Sequence, residues 1–144
     1  AEFERFRPVA IAVLAVEAPR GYVRDELRKA CYDLLFERKY SPLALGVVDA
    51  HTDSDGNFQP RNLDWDATLL VSVKRWVPWS GGSHYVADGT ARLVHRSGQV
   101  LWQLSFQDQA FLVPHGDDAK ERTVRSLAKL IVERIPERPA RAQG

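Results

Sequence analysis

The acidic loop that begins at residue 51 is the segment closest to a metal-binding motif. It spans residues 51–60 and carries Asp53 and Asp55. A calcium loop of the EF-hand type needs an oxygen ligand at its first position and a glutamate at its twelfth, because the ion takes hard oxygen ligands. Those two positions hold His51 and Asn62 here. The composition therefore favours a solvated turn, and we predict no metal site in this loop.

The histidine, cysteine and serine residues do not form a recognisable catalytic set. The four histidines, at positions 51, 84, 95 and 115, have neither the i, i+4 spacing nor the neighbouring ligand motif of a zinc enzyme. Cys31 falls among the apolar positions of a predicted helix, which is typical of a small buried side chain. Ser80 and Ser83 flank two glycines in a predicted hairpin, whereas the activated serine of a hydrolase lies on a strand-to-helix turn.

The sequence therefore predicts a protein that is not an enzyme and that needs neither a cofactor nor a metal. It contains no phosphate-binding loop and no dinucleotide-binding fingerprint. One enzymatic alternative stays open, a hydrolase that uses the acidic loop and a histidine. It would require Asp53 or Asp55 to meet His51 or His84 in one cleft.

Aromatic residues crowd a predicted hairpin whose tip is Pro78 to Gly82. We predict that Trp76, Trp79, His84 and Tyr85 form a partner-binding surface, because exposed aromatic side chains commonly anchor protein contacts. In the alternative hypothesis, Trp76 and Tyr85 pair across the two strands and Trp79 folds back on them. The cluster would then stabilise the hairpin and nothing else.

Hydrophobic periodicity predicts one domain over residues 8–136, with flanking segments at 1–7 and 137–144. Alternation of apolar and polar residues indicates strands, and apolar residues spaced three and four apart indicate helices. The predicted strands are Pro8–Val16, Leu43–Val48, Asp66–Val77, His84–Arg96 and Val100–Gln109, and the predicted helices are Tyr22–Lys39 and Asp117–Ile135. The element order is β-α-β-β-β-β-α.

This order predicts an α/β fold, a two-layer sandwich in which two helices cover one face of a mixed five-stranded sheet. The first two strands are expected to be parallel through a right-handed crossover. The last three are expected to form an antiparallel meander with one apolar and one polar face.

The polar face of the predicted sheet is expected to be open to solvent or to a partner. In the third strand the alternation places Trp76 on this face, and Leu70 is an apolar exception there. Its polar side chains come from neighbouring strands: Thr68, Lys74, His84, Asp88, Arg92, Gln103 and Gln107. They support an alternative function, a module that binds a small ligand or a glycan.

Composition narrows the classes of partner. The chain has 144 residues, with 20 basic and 19 acidic side chains and a formal net charge of +1. It therefore lacks the strongly basic balance of a nucleic-acid-binding domain, and we predict no nucleic-acid partner. A single cysteine excludes an intramolecular disulfide framework. The longest apolar run, Val9–Val16, is far shorter than the ~20 residues that a membrane-spanning helix needs.

About residues 8–135 resemble a family of bacterial periplasmic and outer-membrane lipoproteins of unknown function, similar in fold to the N-terminal domain of TolB and, more distantly, to CsgG and LpoB. The matching segments are the opening strand from Pro8 to Leu14, the helix end from Leu34 to Tyr40, the strand entry from Asp64 to Leu70, and the Ser-Gly hairpin from Leu93 to Trp102. The sequence departs from the family at His95, where an aspartate is common, and it contains no lipobox cysteine or signal peptide.

The resemblance implies an envelope protein that faces the periplasm and is tethered to the outer membrane by a lipid upstream of residue 1. That anchor would be its sole link to a membrane. It also implies a non-enzymatic accessory or scaffold domain that acts through protein–protein contacts. The expected partners are envelope proteins or further copies of the chain in a homo-oligomer. No catalytic residue of the family can be carried over to this sequence.

Overall fold

The computed structural model describes residues 2–137. The helices in this part of the chain are α1 (Glu2–Phe6), α2 (Gly21–Glu37), α3 (Leu45–Ala50) and α4 (Ala119–Arg134), and the strands are β1 (Ala10–Val13), β2 (Ser41–Pro42), β3 (Ala67–Trp79), β4 (His84–His95) and β5 (Val100–Leu112). A short 3₁₀ turn, Ser80–Gly82, joins β3 to β4. Residue 1 and residues 138–144, most of the predicted tail, lie outside the described residues.

The five strands form one mixed sheet in the order β2-β1-β3-β4-β5. β1 is parallel to both β2 and β3, and the long strands β3, β4 and β5 form an antiparallel meander. The predicted fold class is therefore confirmed. β1 and β2 are parallel and are joined through α2, but β2 has only two residues and lies before the segment predicted to be the second strand.

The core lies between one face of the sheet and the two long helices. We call this the inner face and the opposite side the outer face. α2 and α4 pack against each other. Leu27 of α2, Ile131 of α4, Leu69 of β3 and Leu93 of β4 belong to one cluster and are fully buried. Both helices present apolar residues at three- and four-residue spacing, so one stripe of each faces the sheet.

The predicted second strand, Leu43–Val48, is wrong, because most of that segment is helix α3. A short apolar run does not distinguish a strand from a buried helical turn. Within α3, Val48 is buried, and Asp49 forms an ion pair with Arg28 of α2 at 2.8 Å. Arg28 also donates to the carbonyl of Val13 at 3.0 and 3.1 Å. These contacts hold α3 beside α2 and the end of β1.

The first predicted strand is also shorter than expected. β1 ends at Val13, but the segment after it continues along β3 through isolated backbone hydrogen bonds. Leu14 donates to the carbonyl of Leu69, and Glu17 donates to that of Val71, each at 3.2 Å. This irregular extension forms one wall of a cleft on the outer face of the sheet.

The segment before Pro8 forms helix α1, where the sequence predicted only a polar lead-in. Phe3 and Phe6 are partly buried against the core. The ring of Phe6 lies over His95 of β4, with 4.2 Å between ring centroids. The side chains of Phe3 and Phe6 dock this single helical turn on the core. So short an element shows no periodicity in the sequence, and the pattern therefore did not predict it.

Three register shifts interrupt the ladders of the long strands: one lies between Leu93 and Val94 of β4, and the other two lie beside Asp88. The β3–β4 register shifts between Val73 and Arg75, and the β4–β5 register shifts opposite Ala87 and Gly89. A bulge adds one residue to a strand, so the side chains that follow it change face. Trp76 consequently lies on the inner face and is only 4% exposed. Its predicted place on the polar face is wrong for this reason.

Among residues 2–137, no helix has both the length and the apolar character that crossing a membrane requires.

Candidate functional site

The β3–β4 hairpin places an apolar surface on the outer face of the sheet. Trp79, His84 and Leu112 stand opposite one another on β3, β4 and β5, and directly paired residues point to the same face. Val77 lies on the same face, two residues before Trp79. We call these four residues the hairpin patch. Trp79 is 66% exposed and Leu112 is 72% exposed.

The inner face of the same hairpin is a packed aromatic cluster. Trp76 stacks on Tyr85, with 5.0 Å between centroids and 14° between planes. The indole Nε1–H of Trp76 donates to the hydroxyl of Tyr22 at 2.7 Å. Burial, with Tyr85 beside it, raises the pKa of Tyr22. This cluster joins the hairpin to the first turn of α2.

The structure thus separates the four predicted partner-binding residues into two pairs. Trp76 and Tyr85 stack on the inner face, as the alternative hypothesis expected. Trp79 and His84 lie on the outer face, where Trp79 is mostly exposed. His84 is half-buried, and its Nδ1 lies 2.8 Å from the hydroxyl of Ser83. Of the four residues, Trp79 is the most exposed, Trp76 is buried, and His84 and Tyr85 are both partly buried.

An ionic cluster borders the hairpin patch. Arg75 binds Asp88 of β4, with 3.0 Å from Nη2 to Oδ1, and also binds the carboxylate of Asp108 on β5. The backbone N–H of Asp108 donates to Asp88 at 2.7 Å. The hydrogen bond from Arg75, supported by that from the Asp108 backbone, lowers the pKa of Asp88. A polar rim beside an apolar centre is the usual anatomy of a protein interface.

A cleft of about 240 Å³ opens on the outer face, between the irregular segment after β1 and the strands β3 and β4. Leu70, the apolar exception in the sequence pattern, lies in its wall. Of the seven polar residues predicted for a ligand-binding face, only Arg92 lines this cleft. The structure therefore does not gather the predicted polar face into one site.

The acidic loop is organised by its own backbone. The Oδ1 of Asp53 accepts the N–H groups of Asp55 and Asn57 at 3.0 and 2.9 Å. These hydrogen bonds, chiefly that from Asn57, lower the pKa of Asp53. The ring of His51 lies 2.9 Å from the carbonyl of Val47. In the described part of the chain, no three histidine, cysteine or acidic side chains converge as metal ligands would.

The sequence reasoning missed Leu112 and Val77 as members of the hairpin patch. β5 was predicted to end at Gln109, so Leu112 fell outside it, and Val77 was the last residue of the predicted β3. A signal for Leu112 was present, because Ala110, Phe111 and Leu112 form an apolar run that continues the strand. The exposure of Val77 depends on the bulge before it.

Comparison with known proteins shows the fold. No protein-family model and no curated protein matches the sequence. Lipoprotein GNA1162 from Neisseria meningitidis is similar, with a TM-score of 0.58 and 19% identity over 89% of this chain and 98% of that one. The PelC dodecamer from Paraburkholderia phytofirmans has a TM-score of 0.56 and 16% identity over 88% of each chain. The hypothetical protein CT253 from Chlamydia trachomatis has a TM-score of 0.54 and 13% identity over 88% of this chain and 95% of that one.

These similarities show that the chain has a fold found in bacterial lipoproteins. At such low identities they are evidence for the fold alone. The specific resemblance to TolB, CsgG and LpoB stays a prediction.

Proposed function

We propose that this protein is a non-enzymatic scaffold domain of the bacterial cell envelope that associates with copies of itself. Two structural neighbours support the proposal through their own properties: GNA1162 is a lipoprotein, and PelC forms a dodecamer. The observation in this chain that carries the proposal is the hairpin patch, which exposes Trp79 and Leu112 on either side of His84 on the outer face.

The hairpin patch has the chemistry of an interface centre. Tryptophan is among the residues most often found where a few side chains supply most of the binding energy. Trp79 and Leu112 lie on the same face at one end of the sheet, with His84 between them, and Arg75 and its carboxylate partners form a charged border. Burying exposed apolar area releases about 25 cal/mol for each Å². A second copy would remove that surface from water.

Light scattering across a concentration range tests self-association. We expect a mass that is a multiple of the 16.3 kDa chain, and we expect Trp79→Ala to shift the equilibrium towards the monomer. Phe36→Ala is the matched control, because Phe36 of α2 is also an exposed aromatic residue, at 51%, but lies on the helical layer. Circular dichroism of both variants checks that the fold is intact.

The experiment tests two claims separately: that the chain self-associates, and that the hairpin patch is the interface. A wild-type chain that stays monomeric up to its solubility limit would overturn self-association. If the chain assembles and Trp79→Ala assembles equally well, the contact lies elsewhere on the molecule. Other envelope proteins are the alternative partners, and a wild-type monomer would make a comparison of wild-type and Trp79→Ala capture from envelope extract the next experiment.

The proposed location is the periplasmic side of the envelope, with a lipid tether to the outer membrane. The fold shared with GNA1162 supports an envelope location, and the tether follows from the family resemblance. Fractionation of cells that express the full-length gene product tests both points. Recovery in the cytosolic fraction would contradict the location, and release from the membrane fraction by salt alone would contradict the tether.

A further inference from the structure

The outer-face cleft contains one positive and one negative side chain that do not neutralise each other. Arg92 of β4 and Glu17, in the irregular segment after β1, both line it. Among the described residues, no hydrogen bond or ion pair engages the guanidinium of Arg92. Glu17 is contacted by the hydroxyl of Ser72 at 3.4 Å, and it forms no ion pair with any described residue.

Strand register fixes how these two charges are placed. Glu17 stands beside Ser72 of β3, and Ser72 stands opposite Thr90 of β4. Arg92 stands opposite Leu70, one row further along the same face. The backbones of Glu17 and Arg92 are therefore roughly 12 Å apart, two strand spacings across and one side-chain row along. The two long side chains can reach towards each other and still leave room for a small molecule between them.

The rest of the lining supplies both hydroxyl and apolar groups. Ser72, Thr90 and Thr52 bring hydroxyls, while Leu14 and Leu70 bring methyl groups. Leu70 lies between Thr68 and Ser72 on the outer face of β3 and supplies part of the apolar wall of the cleft. None of the described lining residues is aromatic, so the cleft offers no ring on which a sugar could stack.

We propose that this cleft binds a small zwitterion of the amino-acid class, with its carboxylate on Arg92, its ammonium group on Glu17 and an aliphatic side chain against Leu14 and Leu70. A guanidinium is the preferred partner of a carboxylate, because it donates two parallel hydrogen bonds. The volume of about 240 Å³ is below the ~300 Å³ at which sites for drug-sized ligands begin, so the ligand is the size of an amino acid. The proposal is independent of self-association and narrows the small-ligand hypothesis to one site.

Titration of the ¹⁵N-labelled protein with leucine, followed by NMR, tests the proposal. We expect saturable chemical-shift changes in the amides of Ser72, Thr90 and their neighbours. N-acetyl-leucinamide has the same side chain without either charge, and we expect it to cause no saturable change. Arg92→Gln and Glu17→Gln should each weaken leucine binding by about tenfold or more, since each removes a charge-assisted contact.

Lys74→Gln is the matched control variant. Lys74 is exposed on β3 but does not line the cleft, so its substitution should leave leucine binding unchanged. Arg92 and Glu17 are both exposed, and the NMR spectrum of each variant reports directly whether the fold is intact. The proposal is overturned if leucine causes only linear shifts spread over the surface, if N-acetyl-leucinamide binds as well as leucine, or if both cleft variants bind leucine as the wild type does.

Discussion

Arg75 and Asp88 form an ion pair across β3 and β4 at the point where the strand ladders on both sides of β4 lose their register. The Nε of Arg75 lies 2.9 Å from Oδ2 of Asp88. Asp88 also accepts the backbone N–H of Asp108, whose positive φ of 52° belongs to the bulged part of β5. One carboxylate thus ties three strands together where the bulges would otherwise leave backbone groups without partners.

Gly89→Ala should strongly destabilise the fold. A Cβ at this position would lie 2.2 Å from the backbone carbonyl oxygen of Ser72 and 2.7 Å from Cζ of Phe106. The carbonyl belongs to the neighbouring strand and cannot move without disrupting the sheet. We expect a loss of about 3 kcal/mol in the free energy of unfolding, at the upper end of the usual cost of overpacking, measured by urea denaturation.

Gly46→Ala is the control for that substitution. Gly46 lies in α3, and a Cβ there would meet no atom within 4 Å. Because alanine favours the helix over glycine by up to about 1 kcal/mol, this variant should be as stable as the wild type or more stable. Equal denaturation midpoints for Gly89→Ala and wild type would show that Gly89 does not pack against the Ser72 carbonyl and the Phe106 ring.

The dependence of stability on pH should show whether Asp88 is paired with Arg75 in the folded protein. The hydrogen bond from Arg75 lowers its pKa in the folded state, below the ordinary aspartate value of about 3.9. Its contribution to stability is therefore fully present above the ordinary value and is lost as the pH falls through the folded-state pKa. We expect Asp88→Asn to lower the melting temperature at neutral pH and to make the fall of melting temperature below about pH 4 shallower than in the wild type.

The exposed Asp117 offers a matched carboxylate for that experiment. Asp117→Asn should leave the acid limb of the profile parallel to that of the wild type. If Asp88→Asn also gives a parallel profile, the cluster of Arg75, Asp88 and Asp108 does not act as the structure indicates.

The sequence predicted the architecture because the hydrophobic periodicity of its main helices and strands extends over many residues. α2, α4 and the three long strands each repeat their periodicity over ten or more residues, and their bounds agree with prediction to within three residues at each end. The short elements α1, β2 and α3 are held by contacts from elsewhere in the chain. The ion pair between Asp49 and Arg28 is one such contact, and no local pattern reveals it.

The candidate site was harder to predict, because it depends on bulges. Lys74 and Arg75 are two charged residues in succession within an alternating strand, which is the local trace of the bulge in β3. With strict alternation, Trp76 falls on the outer face and Val77 on the inner face. The extra residue reverses both, so the sequence identified the aromatic hairpin but assigned Trp76 to the wrong side.

The hydrogen bond between Trp76 and Tyr22 should contribute to stability in a way that a double-mutant cycle can measure. The indole donates to the Tyr22 hydroxyl in a partly buried setting at 2.7 Å. Tyr22→Phe leaves that N–H without its acceptor, which costs about 1–3 kcal/mol. In a Trp76→Phe background the same change should cost less, because no donor is stranded. Additive losses in urea denaturation would argue against the bond.

Cys31 should be unreactive in the native protein, and its labelling should report how often the hydrophobic core opens. The thiol is fully buried in α2, and burial raises its pKa to about 12. The nucleophilic thiolate is therefore scarce at pH 8, and alkylation must wait for the core to open. We expect the rate of labelling by iodoacetamide to rise steeply with urea. After full unfolding, labelling should reach one label for each chain, since the sequence has one cysteine.

Two variants serve as controls for this experiment. Phe36→Ala, a change on the exposed side of the same helix, should label as slowly as the wild type, whereas Gly89→Ala should label faster because its fold opens more often. Native labelling at the rate of free cysteine would contradict the packing of α2 against the sheet.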